Sequence, residues 1–400
     1  LPIIGNLHQI GLQPHDSLQA IAQHHGPLML LHFESVPTLV SSSNATQEIM
    51  KTHDLIFVNR PKSSMFEKLS YNYKDVSLAH YGEYWRQMKI ILVLHLLSCK
   101  RVQSFRSVRE EELSLLVEKI KQSCFSTVNL SEVLPKLTND IICRVTLGRR
   151  YDGGEGRRKF KKLIEDLVEL LGIINKDLVD ILLWIQRENV IGFPIERDAF
   201  VGGTDTTYSI LEWAMTKLLR HPRTMRKVQN EVRGITSYKK GITKDELEEL
   251  QYLDAVIKET LRLHPTVPLL FPREANRDVQ IQGYDIAVGT QVVINAWAIG
   301  RDPGLWDNPE EYQPERFLNP TINFKGHDFQ LIPFGAGRRG CLGICFAITT
   351  IKFILANLLH YFDWTLPSGA RGENLDMTKS IGISIHRKFP LTAVATPYFG

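Results

Sequence analysis

Phe334-Gly335-Ala336-Gly337-Arg338-Arg339-Gly340-Cys341-Leu342-Gly343 runs straight into an apolar stretch of helical length, residues 344–361. That stretch begins apolar on all sides, so it reads as a buried helix. A cysteine at the mouth of such a helix has backbone N–H groups and the positive end of the helix dipole aimed at its sulfur, which favours thiolate over thiol. These are the electrostatics of a metal-ligating sulfur. Gly337 and Gly343 would let the backbone approach a flat cofactor closely, and Arg339 would reach an anionic group on it. Zinc is a poor match, because Cys345 is the one other soft ligand nearby and no second Cys/His pair follows. An inert core cysteine is the ordinary reading of a lone Cys, and the flanking residues weigh against it.

The same residues also fit a different pattern. Gly335-x-Gly337-x-x-Gly340 matches a dinucleotide fingerprint, follows a strand-like run at 329–332 and has Asp363 about 20 residues on. A dinucleotide fold needs further βαβ units, and residues 365–400 show none. Arg338 and Arg339 inside the turn, with Pro333 before it, fit a pyrophosphate poorly. A nicotinamide-dependent dehydrogenase stands as the rival enzyme reading.

Three further segments break their own pattern. In the helix expected over 246–263, Tyr252, Ala255, Val256, Glu259, Arg262 and Leu263 share one face, so an acid and a base sit on the apolar stripe. An exposed i, i+3 pair is the bland alternative. A buried pair needs a further partner, and Arg316 in Pro314-Glu315-Arg316-Phe317 is the candidate. In the second segment, 199–219, Gly202-Gly203-Thr204-Asp205-Thr206-Thr207 sits among helix formers. Two Gly cost about 2 kcal/mol against Ala in a helix interior. Either the helix widens there, frees a carbonyl and presents Asp205 and Thr206 to a small polar ligand, or Thr204 or Asp205 caps a helix start. In the third, Tyr84-Trp85-Arg86-Gln87-Met88-Lys89, Trp85 and Lys89 share a face and would offer an indole N–H and an ammonium to one acceptor. Packing plus a solvated charge is the simpler reading of that segment alone.

The chain has 400 residues, 43% hydrophobic and 23% charged, with 48 Lys+Arg against 44 Asp+Glu and a net charge of +4. This composition supports a large core and excludes disorder as the main state. No block of like charges marks a nucleic-acid tail. The five cysteines, Cys99, Cys124, Cys143, Cys341 and Cys345, are scattered and odd in number, which reads as a reduced, cytosol-facing protein. Polar residues interrupt the apolar stretches at 90–97 and 344–362, so no membrane span is expected within the sequence. The start at Leu1-Pro2 without Met reads as a trimmed chain.

No Pro-rich or Gly/Ser linker divides the chain, and a single domain over 1–400 is expected. Short β runs at 28–33 and 38–42 around Pro37 read as a hairpin. Helices are expected at 108–121, 160–171, 211–219 and 246–263, and strands at 279–281, 291–295 and 381–386. The fold class is mainly α with small β-sheets near the two ends.

Taken together, these motifs resemble a cytochrome P450 along the whole chain. The resemblance rests on F-x-x-G-x-R-x-C-x-G at 334–343, E-x-x-R at Glu259 and Arg262, P-E-R-F at 314–317 and G-G-x-D-T-T at 202–207, in the family's order. Leu1-Pro2-Ile3-Ile4-Gly5-Asn6-Leu7, Tyr84-Trp85-Arg86 and Pro272-Arg273-Glu274 are most similar to the plant microsomal group of specialised metabolism. The resemblance implies haem b in a single haem-thiolate domain, with Cys341 as axial ligand of the iron. It implies that Phe334 and Gly335 flank the haem, and that Trp85, Lys89, Arg273 and Arg339 pair with its propionates. Asp205 and Thr206 would deliver protons to dioxygen, and Glu259, Arg262 and Arg316 would form a buried triad. Val201, Gly202, Val267, Leu269, Leu270, Phe271, Ile381 and Ile383 would face a small hydrophobic substrate, whether terpenoid, phenylpropanoid, coumarin or alkaloid.

The implied activity is oxidation by O2, with electrons from NADPH delivered by a membrane-bound NADPH-cytochrome P450 reductase. Arg86, Lys89, Lys100, Arg101, Arg106 and Arg109 would face that partner. An N-terminal anchor would hold the protein on the cytosolic face of the endoplasmic reticulum. Two other haem readings are a peroxide isomerase or dehydratase, against which Asp205 and Thr206 argue, and a non-catalytic haem sensor. The sequence departs from the family in spacing. Pro194 lies only eight positions before Gly202, and the loop and helices expected between 171 and 177 are missing, so stretches near 172–175 and 198–200 are expected to have been omitted.

Overall fold

In the computed structural model, residues 5–32, 37–62, 67, 70, 72–148, 150, 201–235, 242–319, 321–380 and 382–399 are described. The helix expected at 160–171, Pro194, both suspected omissions and Ile381 lie outside the described residues.

The helix Ile344–Tyr361 is the axis of the largest core cluster. Its Ile351, Ile354, Leu355 and Leu358 are wholly buried, and Leu211 and Leu218, Val228, Val256 and Ile141 pack around them from four other helices. Those helices are Thr206–Arg220, Pro222–Ile235, Gln251–Leu263 and Leu130–Leu147. Ile344–Tyr361 is the one described helix long and apolar enough to cross a membrane, where the sequence reading had expected none. Its burial at the centre of the core accounts for that composition.

Strands are few and short. Leu28–Leu30 pairs antiparallel with Pro37–Val40, Leu28 opposite Val40, as the expected hairpin. Pro37–Val40 then pairs in parallel with Gln291–Ile294, which pairs antiparallel with Arg273–Glu274, so the N-terminal hairpin is completed by strands from the second half. A second sheet orders Thr127–Asn129, Thr392–Pro397 and Phe362–Thr365, and a third joins Val279–Ile281 to Tyr284–Ile286.

Four expectations are corrected. The helix over 246–263 is two helices, Lys244–Glu249 and Gln251–Leu263. Thr243 caps the first through a capping box, and the Glu231 carboxylate takes the N–H groups of Tyr252 and Leu253 at 2.6 and 2.9 Å, capping the second from another helix. Described residues 382–386 form no strand: 382–384 are bends, and the Ile385 carbonyl is taken by helix side chains. No strand occupies 329–332, which removes the dinucleotide reading of the glycine loop. Cys99 and Cys345 are joined as a disulfide between the helices Cys99–Ser104 and Ile344–Tyr361, while Cys124, Cys143 and Cys341 are free.

Candidate active site

The glycine loop folds back on itself before the core helix. Gly335 and Gly337 have positive φ, +66° and +70°, and the Cys341 N–H donates to the Phe334 carbonyl at 2.9 Å. This turn sets Cys341 in the wall of a mostly apolar cavity of about 330 Å³. Cys341 lies inside the protein and is open to this cavity. Burial within the protein pushes its thiol up, and the Gly343 N–H, 3.4 Å from Sγ, acts in the opposite direction. The Gly343 N–H at the helix start thus favours the thiolate against that burial, and a coordinated metal would complete it, because coordination deprotonates a thiol outright.

Gly335, Gly340 and Gly343 line the cavity, but Gly337 does not. A Cβ on Gly337 would collide with the Met50 carbonyl and come within 2.5 Å of Asp54 Oδ1, so its role is close packing of two protein segments, not approach to a cofactor. Asp54 is a site residue that sequence reasoning missed. It is buried, pairs with Arg338 at 2.8 Å and Arg273 at 3.3 Å, and thereby ties the loop to the segment before it. Its partners lie more than 200 residues away in sequence, so no local pattern marks it.

The polar end of the cavity gathers Trp85, Arg60, Arg273 and Arg339. Arg339 Nε and Nη2 donate to the Val58 and Ala79 carbonyls, and its guanidinium lies 4.5 Å from the Trp85 ring centroid. Its Nη1 is buried with no hydrogen-bond partner among the described residues. Burial, reinforced by Arg273, pushes Arg339 down to about 10. A buried guanidinium nitrogen without an acceptor is costly, and because Arg339 lines the cavity an anionic group there would offset that cost. Arg60, also missed from sequence, is lowered by burial and then by Arg273 and Arg339, and donates to the Phe271 and Pro272 carbonyls. Trp85 and Lys89 do not share one acceptor: the indole N–H donates to the Val76 carbonyl at 2.9 Å and Lys89 Nζ to the Arg338 carbonyl at 3.1 Å.

Across the cavity, Val201–Asp205 is a turn of π-helix leading into Thr206–Arg220. The widening reading holds, and no side-chain cap starts the helix at Asp205. Gly202, Gly203, Thr206 and Thr207 line the cavity. Thr206 Oγ1 donates to the Gly202 carbonyl at 2.5 Å, while Asp205 pairs with His386 at 3.1 Å. A Cβ on Gly203 would reach Ile142 Cδ1 at 2.6 Å, so that glycine admits the helix Leu130–Leu147. Val267, Leu270 and Phe271 line the cavity too. Leu269 and Ile383 do not: they pack against neighbouring core clusters. The side chain of Val201 lies outside the described residues.

Below the site, Arg262 Nε and Nη2 make a fork of 2.7 and 2.8 Å to Glu259, both side chains wholly buried, and Arg316 Nε reaches Glu259 at 3.3 Å. The remaining Arg262 donors meet the carbonyls of Gly300, Pro309 and Glu311. Of the basic residues expected to face a partner, Arg109 is buried, pushed down to about 10, and donates to the Val102 carbonyl. It offers no surface charge.

A second cavity of about 560 Å³ lies beside Lys217, His264 and Trp297 and contains no cysteine. Among the described residues no group of three His, Cys, Asp or Glu is arranged to hold a metal ion. A single cysteine sulfur, a mostly apolar cavity and a buried guanidinium nitrogen without an acceptor instead fit a flat metal-bearing cofactor with anionic edges.

The comparisons agree with that geometry. The family model described as Cytochrome P450 matches residues 1–188 and 197–390. Cytochrome P450 736A117 of Prunus mume is 53% identical over 463 aligned positions, covering 100% of this chain and 89% of the relative. Cytochrome P450 71A2 of Solanum melongena is 49% identical (99% and 91% covered), and a protein named 3-beta-hydroxylase from Tanacetum parthenium is 44% identical (100% and 91% covered). A zebra fish cytochrome P450 solved with abiraterone superposes with a TM-score of 0.84 at 24% identity, covering 98% of this chain and 100% of its own, which speaks to fold alone. From the cysteine loop to the full-length relatives, these findings converge: the chain belongs to the cytochrome P450 family, the haem b-dependent monooxygenases.

Proposed function

We propose that this protein is a monooxygenase of plant specialised metabolism that hydroxylates or otherwise oxidises a small hydrophobic metabolite of the terpenoid, phenylpropanoid, coumarin or alkaloid type. In the hydroxylation, one oxygen atom of O2 enters a C–H bond of the substrate and the other leaves as water, with two electrons supplied by NADPH. Haem b, when bound, supplies the reductive activation of O2. Cys341 would hold its iron and Arg339 and Arg273 would meet its carboxylates, with Trp85 beside them in the cavity wall and Lys89 bound to the Arg338 carbonyl of the cysteine loop.

Thr206, on the cavity wall, and Asp205, one residue before it, handle protons for the oxygen chemistry. Val267, Leu270 and Phe271 with Gly202 supply an apolar wall that excludes water and sets substrate shape. The carrying observation is that Cys341 and Thr206, from separate elements, line one mostly apolar cavity. The name of the Tanacetum relative supports hydroxylation as the outcome. Resemblance to microsomal plant members supports an NADPH-cytochrome P450 reductase as electron donor and the endoplasmic reticulum as location. The Prunus alignment spans 463 positions against the chain's 400 residues, so that relative carries residues this chain lacks, which supports omitted internal stretches.

The substrate class is tested by titrating the haem-loaded protein with representative compounds of each class and following the Soret band. A small apolar compound should bind in the cavity and shift the band. Shifts confined to large or charged compounds would contradict the reading.

A further inference from the structure

Asp205 is a buried carboxylate beside the cavity, yet it is not among the residues that line it. Its Oδ2 accepts a hydrogen bond from His386 Nε2 at 3.1 Å, across 181 residues of sequence. The His386 ring in turn stacks on Tyr208, one turn along the same helix, with centroids 4.7 Å apart and planes 6° from parallel. His386 is thus fixed in both ring plane and edge.

The backbone around it is equally constrained. The Ile385 carbonyl accepts from Ser209 Oγ at 2.7 Å and Trp213 Nε1 at 3.1 Å, and the Ile385 N–H donates to the carbonyl of Thr266 at 2.8 Å. Thr266 and the following Val267 are cavity wall. The Arg387 N–H approaches Glu212 at 3.5 Å, one further turn along the helix. Residues 385–387 are therefore a strap bonded at one end to the substrate wall and along its length to the helix that carries Asp205 and Thr206.

We propose that His386 is a positioning residue for the reaction. It fixes the Asp205 carboxylate through Nε2, so that NADPH electrons end in oxygen transfer or water and not in released hydrogen peroxide. This rests on the reading of Asp205 and Thr206 as the proton-handling pair. The chemistry balances on either branch. Two electrons and two protons convert O2 to hydrogen peroxide, four of each convert it to two waters, and the productive branch needs its protons delivered before peroxide escapes. A carboxylate that wanders from its place delivers them late.

The experiment uses the haem-loaded protein with purified reductase, NADPH and air-saturated buffer, and measures hydrogen peroxide released per NADPH consumed. His386→Phe keeps a ring to stack on Tyr208 but has no donor, and His386→Gln keeps a donor. The Phe variant should raise the peroxide fraction about threefold or more, a small part of the roughly 10²–10⁴ that a positioned proton donor is worth. Asp205→Asn should raise it similarly, the double variant no further, and the Gln variant should stay near the parent. In thermal unfolding the two single losses should sum to more than the loss in the double variant.

A parent-like peroxide fraction in His386→Phe beside a raised fraction in Asp205→Asn would overturn the role of His386 and leave the proton pair standing. A parent-like fraction in Asp205→Asn would overturn the pair itself. If His386→Phe does not fold, His386→Asn, with an amide too short to reach Asp205, takes its place: a raised fraction supports the proposal and a parent-like one overturns it.

Discussion

Lys217 shows how burial alone sets the charge on one side chain. It lies on the Thr206–Arg220 helix against the second cavity, and burial, aided by Arg301 and Arg220, pushes its ammonium down to about 8. In the unfolded chain a lysine titrates near 10.4. Between those values the unfolded state binds more protons, so stability rises with pH across that window and the cost of charging the lysine is carried in full below it. Lys217→Met should therefore unfold at a higher temperature than the parent at about pH 7, with the difference closing toward pH 10.5. A difference that stays constant across a pH series of melting curves would contradict this account. Which single residues were legible in the sequence follows from the same physics. Glu259 and Arg262 stood out because two charges on an apolar stripe break a local pattern. Asp54 and His386 did not, because each acts through partners brought near only by the fold.

At the scale of elements, the Gly202-Gly203 pair divides its roles in a way that sequence did not separate. Gly203 meets Ile142 of the helix Leu130–Leu147, whereas a Cβ on Gly202 would meet nothing within 4 Å. Gly203→Ala should destabilise by about 1–3 kcal/mol through overpacking. Gly202→Ala should be neutral, or stabilise by about 0.5–1 kcal/mol through lost unfolded-state entropy, while narrowing the cavity. Chemical denaturation of both variants checks the contrast, and equal losses would contradict it. The main helices and the N-terminal hairpin were legible because their apolar periodicity is local. The break at Leu250 and the docking of residues 385–387 were hidden, since Glu231, Ser209 and Trp213 act across elements.

Across the whole molecule, the cysteine loop that precedes the buried Ile344–Tyr361 helix and the Gly202, Gly203 and Thr206 segment, far apart in sequence, line the same cavity. The order of motifs in the sequence implied that arrangement, but the slot between them, the unpaired Arg339 nitrogen and the Asp54 tie exist only in three dimensions. The account stands or falls on the sulfur of Cys341 as the iron ligand. Its most direct test is the difference spectrum of the reduced, haem-loaded protein with carbon monoxide, taken on the parent and on Cys341→Ala. A thiolate-type band in the parent that disappears in the variant is the predicted result. A histidine-type band in the parent, or a thiolate-type band that survives the substitution, would contradict it.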